Sequence, residues 1–81
     1  GTTMPASAVH ALIEIDARPG LRAAELADLL DLDKSGVSRM LRKLIEAGDI
    51  VEQPAPDDGR TKALRLTTRG QSTVAAIHDR A

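Results

Sequence analysis

The chain has 81 residues, 11 Lys and Arg against 12 Asp and Glu, a formal net charge of -1, no Cys, and no Phe, Tyr or Trp. That length allows one small domain, burying only about 60% of the surface its unfolded chain exposes, and the missing cysteines exclude disulfide staples and thiolate metal sites. No apolar run approaches the roughly 20 residues of a bilayer span and no signal-peptide pattern opens the chain, so a cytoplasmic domain is expected, with no membrane partner and a core of aliphatic side chains.

Residues 1–5 are expected to be a loose, disordered N-terminal remnant. Gly1 stands where a native chain would begin with Met, and both ends look cut, so residues 6–81 are expected to be one domain truncated from a longer protein. Pro5 suits the first turn of a helix running to about residue 17, with Val9, Leu12, Ile13 and Ile15 on its apolar side. Arg18-Pro19-Gly20 stops it, because proline restricts the residue before it and lacks an N–H. Leu21 and Arg22 should be extended. A second helix is predicted over residues 24–30 with Leu26, Leu29 and Leu30 inward, and Ala23 occupies the capping place where Ser or Thr is preferred.

Asp31-Leu32-Asp33 forms a tight connection, and Asp33 is a good N-cap for a third helix over residues 34–47. Val37, Leu41 and Leu44, flanked by Met40 and Ile45, give that helix a broad apolar stripe. Gly36 in its first turn costs about 1 kcal/mol relative to Ala, and Gly48 ends it as a left-handed cap. The period then changes. Residues 50–53 and 62–67 suit two strands, the second alternating Leu64 and Leu66 with charged neighbours. Residues 54–61 between them read as a hairpin loop with Asp58-Gly59 as its turn signal. Thr68 is expected to cap a last helix from Arg69 to the chain end, with Val74 and Ile77 apolar and Gly70 and Thr73 weakening it.

Helix, helix, tight turn, helix, hairpin, helix is the order of a winged helix-turn-helix: an α+β class, mainly α, with three helices, a β-hairpin wing and a C-terminal helix. Charge distribution gives that order a purpose. No acid falls within residues 34–43 or 60–69, and those windows hold eight of the 11 Lys and Arg. The near-neutral total hides a polarised molecule of the kind that reads duplex DNA. On the third helix Ser35, Ser38, Arg39 and Arg42 share one face, opposite Val37, Leu41 and Leu44. Arg39 is the first choice for base contact, since a guanidinium donates two bonds to guanine O6 and N7. The short Ser35 and Ser38 let the backbone approach, and Arg42 reaches bases or phosphates. Lys34 and Lys43 at the edges suit phosphates, as do Lys62 and Arg65 in the hairpin. Arg60, next to the turn glycine, is placed to enter a minor groove. Asp57 or Asp58 could pair with it and hold its stem.

Surface helices commonly carry Lys and Arg, so the conjunction of short helix, tight turn, acid-free face and basic hairpin carries the reading. Enzymatic readings find no support: His10 and His78 are far apart, no cofactor or metal set is visible, and the Asp31/Asp33 and Asp57/Asp58 pairs are explained by turns and a cap. No phosphate-binding loop has the required spacing.

From about Leu21 to Gly70 the chain resembles the MarR family of bacterial regulators. The matching pieces are AAELADLLDLDKSGVSRMLRKLIEAG, the wing PAPDDGRTKALRLT, and the TTRG that opens the next helix. The resemblance implies a cytoplasmic homodimer on a pseudopalindromic double-stranded DNA operator, usually repressing transcription and often released by a small anionic or phenolic effector. Carried over by position, its recognition-helix roles fall on Ser35, Gly36, Ser38, Arg39 and Arg42, and its wing role on Arg60 supported by Asp57. Gly36 stands where the family commonly has Thr or another side chain, and Ala23 where Thr or Ser often meets a phosphate. The family pattern also includes a helix ahead of residue 1 and dimer-forming helices beyond residue 81. Some related proteins place the winged helix ahead of an acetyltransferase domain. The competing reading is a winged-helix protein-interaction or structural module of a larger protein, with or without a fused acetyltransferase domain.

Overall fold

The computed structural model describes residues 5–55 and 58–80, with the side chains of residues 58–61 and 80 outside the description. In chain order the elements are α1 (Ala6–Ala17), α2 (Ala23–Leu30), α3 (Lys34–Ala47), β1 (Ile50–Ala55), β2 (Asp58–Leu66) and α4 (Thr68–Arg80). This is the winged helix-turn-helix order that the sequence predicts. Of the residues 1–5 expected to be loose, 1–4 lie outside the described residues. Pro5 itself is the N-cap of α1, and its carbonyl accepts from the amides of Ala8 and Val9.

The buried stripe of α1 is Ala8, Ala11, Leu12 and Ile15, spaced as one helical face. Val9 and Ile13, expected inward, are only half-buried. Alanines hold two of the four central places because α1 packs against α2, β2 and α4 together, and small side chains allow that crowding. On α2 the inward stripe is Ala23, Leu26, Ala27 and Leu30, while Leu29, expected inward, is 39% exposed. The helix also starts one residue earlier than predicted. Its N-cap is Arg22, not Ala23, and the Arg22 amide donates to the Glu25 carboxylate at 3.0 Å.

β1 and β2 pair antiparallel from Ile50↔Leu66 to Pro54↔Lys62, with an irregularity between Pro54 and Ala55. The strands therefore run into residues 54–55 and 58–61, which the sequence suggested were loop. Proline is tolerated there because a two-stranded ribbon has free outer edges and the irregularity removes a ladder bond. Asp58 and Gly59, expected as the turn, have their backbone in β2. The segment before α2 joins this ribbon: Leu64 donates its amide to the Leu21 carbonyl at 2.7 Å, and Arg22 bridges Ala63.

One aliphatic core joins all elements, with Leu12, Leu26, Val37, Ile50 and Leu64 fully buried. Burying each of these larger side chains contributes about 1.5–3 kcal/mol. Among the described residues no helix is long and apolar enough to cross a membrane.

Candidate nucleic-acid interface

Local geometry fixes α3 at both ends. Asp31 closes α2 in the left-handed region at φ 55, the Leu32 amide returns to the Ala27 carbonyl at 3.0 Å, and the chain turns sharply into Asp33. The Asp33 carboxylate then accepts from the Gly36 amide at 2.8 Å. At the other end Gly48, at φ 85, donates its amide to the carbonyls of Ile45 and Leu44. Between these caps Val37, Leu41 and Leu44 are buried and Met40 half-buried. Ile45, expected to flank the stripe, is 36% exposed, because it lies on the edge of the helix facing solvent.

Ser35, Ser38, Arg39 and Arg42 are all exposed, as are Lys34 and Lys43. The helical period puts the first four on the side opposite the anchored stripe. Among the described residues no ion pair or side-chain hydrogen bond engages Lys34, Arg39, Arg42 or Lys43. Ser38, Arg39, Arg42 and Lys43 line a shallow depression together with Glu46, an acid just beyond the acid-free window. The arrangement can present donors to a polyanion without first breaking a salt bridge to another described residue.

The wing is less uniform than the sequence suggested. Lys62 and Arg65 are both exposed, but strand alternation puts them on opposite faces of the ribbon. Lys62 stands across from Pro54 and Arg65 across from Val51. Arg65 borders a cleft of about 360 Å³ between the end of α1, the base of the ribbon and the start of α4, in company with Asp16 and Gln71. The side chain of Arg60 and the whole of Asp57 lie outside the described residues, so the minor-groove and wing-support expectations rest on sequence.

The surroundings of Asp49 were not anticipated. Asp49, between α3 and β1, is 4% exposed, and its Oδ1 accepts from the Thr73 hydroxyl at 3.1 Å. Its backbone carbonyl accepts from the Thr67 amide at 3.0 Å. The Thr67 hydroxyl donates to the Gly48 carbonyl and accepts from the Gly70 amide at 3.0 Å. Thr67, not Thr68, therefore caps α4. Gly70 is required by proximity: a Cβ there would stand 2.0 Å from the Asp49 carbonyl oxygen. The signal available in sequence was Thr67 three residues ahead of a glycine, the spacing at which a cap hydroxyl meets an amide.

A MarR family model matches residues 2–61 of the chain. A Thauera aromatica protein described as a transcriptional regulatory protein for the hcr operon is 36% identical over 59 residues, covering 73% of this chain and 36% of that protein. Among solved structures, wild-type apo MarR from E. coli is similar with a TM-score of 0.89 and 28% identity, over 94% of this chain and 56% of that one. The S. aureus MepR-DNA complex is similar with a TM-score of 0.88 and 28% identity, over 94% of this chain and 63% of that one. The chain thus spans about a third of the Thauera protein and some three-fifths of the structures it matches.

Proposed function

The chain belongs to the MarR family, and on that premise we propose that it is the DNA-binding unit of a bacterial transcriptional regulator that reads a double-stranded operator by sequence. The observation that carries this reading is the outward face of α3, where two serines and two arginines stand exposed, and unpaired among the described residues, opposite a buried aliphatic stripe. A helix anchored in this way enters a major groove with its free face toward base edges. The similarity to MepR captured on DNA supports the same use of the fold.

Arg39 reads a guanine, Ser35, Ser38 and Arg42 complete the base-facing set, and Lys34, Lys43 and Lys62 meet phosphates. Arg65 reaches the backbone only on the other face of the ribbon. Arg60 enters the minor groove with Asp57 behind it. The full-length protein acts in the cytoplasm as a homodimer on a pseudopalindromic operator, represses transcription, and answers to a small-molecule effector. No catalytic role belongs to this reading.

Selection of bound duplexes from a random library with the full-length protein tests it. The expected result is an enriched pseudopalindrome whose affinity falls steeply with salt, the log–log slope growing by about 0.9 for each phosphate neutralised. Absence of salt-sensitive affinity for any duplex would overturn the reading in favour of a winged-helix protein-interaction module, with or without a fused acetyltransferase domain.

A further inference from the structure

The DNA-reading face leaves Asp49 without a task, yet no other acid among the described residues is buried. Taking a carboxylate out of water is costly unless a hydrogen bond compensates it, and the side-chain donor within hydrogen-bond distance of Asp49 among the described residues is the Thr73 hydroxyl. The Thr73 hydroxyl lies within reach of both Asp49 Oδ1, at 3.1 Å, and the Arg69 carbonyl, at 3.0 Å. Arg69 Nε stands 3.8 Å from the same Oδ1, but that side chain is 74% exposed and adds little. The backbone of Gly48 and Asp49 is held in turn by Thr67, whose hydroxyl closes the α3 turn and opens α4 at once. Gly70 brings α4 into direct contact with the Asp49 carbonyl. The C-terminal end of α3 and the first two turns of α4 are therefore one joint, with no slack at Gly70 and a polar latch at Thr73.

We infer that Asp49 is a positioning residue: latched by Thr73 and Thr67 over Gly70, it fixes the angle between the DNA-reading helix and α4, and so fixes which spacing of operator half-sites the protein accepts. This rests on the proposed operator reading. In a symmetric dimer the two reading helices must fall about one helical turn apart on the duplex, and any tilt of α3 against the rest of its subunit is doubled across the pair. A looser joint lets each helix find its half-site at several spacings, with the selected spacing losing its advantage.

The test uses the full-length protein and the operator recovered by selection, rebuilt with the half-sites moved together or apart by one and two base pairs. Asp49→Ala and Thr73→Val remove the latch from its two sides, while Asp49→Asn keeps an oxygen that accepts from Thr73. A purely structural role lowers the folded fraction and scales every affinity alike, so the ratio of affinities between spacings is the readout. The unaltered protein and Asp49→Asn should prefer the selected spacing, whereas Asp49→Ala and Thr73→Val should lose about tenfold of that preference, with single half-site affinity within about twofold of the unaltered protein's. Spacing profiles in both altered latches that superimpose on the unaltered one would overturn the inference. Failure of the unaltered protein to select any operator is seen before a variant is made; it defeats the DNA reading itself, and the inference with it.

Discussion

The Gly36 amide donates to Asp33 Oδ1 at 2.8 Å, so the start of α3 is closed by its own carboxylate rather than left open to an incoming anion. A Cβ at residue 36 would stand only 2.8 Å from that same oxygen. The glycine that a propensity scale marks as a defect leaves room for the cap.

Two substitutions probe the cap. Asp33→Ala should lower unfolding free energy by about 1 kcal/mol and Asp33→Asn by much less, since Asn caps nearly as well. Gly36→Ala should change stability by less than about 0.5 kcal/mol, because the helix propensity gained offsets the displaced cap. Urea denaturation midpoints measured side by side decide both, and a full 1 kcal/mol gain in Gly36→Ala would show that the cap contributes nothing.

Arg39→Ala should weaken operator binding by about 1–3 kcal/mol and relax the preference at one base pair. Titration against the selected operator and a scrambled duplex provides the check. Equal losses on the two would exclude base reading by Arg39.

Lys62→Ala should weaken binding to every duplex alike and flatten the salt dependence by about one unit of slope. Arg65→Ala offers a direct contrast, because alternation puts it on the other ribbon face from Lys62. If the hairpin lies along the backbone on one face, only one of the two substitutions changes the slope. A full unit lost from both would mean that the ribbon is wrapped by DNA on both sides.

Thr67→Val removes the hydroxyl that serves both Gly48 and Gly70 and should cost about 1–2 kcal/mol of stability. Thr68→Val, at the place where the sequence predicts the cap, should stay within about 0.5 kcal/mol of the parent. Thermal or urea unfolding of the pair gives the answer, and the reverse order would reassign the cap.

Leu26→Ala should cost about 2–5 kcal/mol and Leu29→Ala less than about 0.5 kcal/mol, although the sequence suggests both face inward. Leu26 is wholly buried and Leu29 is 39% exposed, so calorimetry of the two should separate them cleanly.

Local chemistry explains how much could be read from the chain alone. Asp33 and Gly48 bracket α3 because a carboxylate meets free amides and a glycine accepts a positive φ, both within a few residues of the helix they end. The same locality made the exposed face of Ser35, Ser38, Arg39 and Arg42 legible: once Val37, Leu41 and Leu44 turn inward, the helical period leaves those side chains nowhere else to go.

Tertiary contact decided the rest. Ala8, Ala11 and Ala27 are core residues, because helices that approach closely select small side chains, which hydropathy undervalues. Pro54 lies within a strand because the ribbon's free edge asks nothing of its missing N–H. Asp49, Gly70 and Thr73 looked ordinary or even unfavourable, since each is explained only by a partner about twenty residues away in sequence, 24 for Asp49 and Thr73. Spacing along a chain encodes which face a residue takes; it does not encode which other face will meet it, and that meeting is settled only when the elements pack.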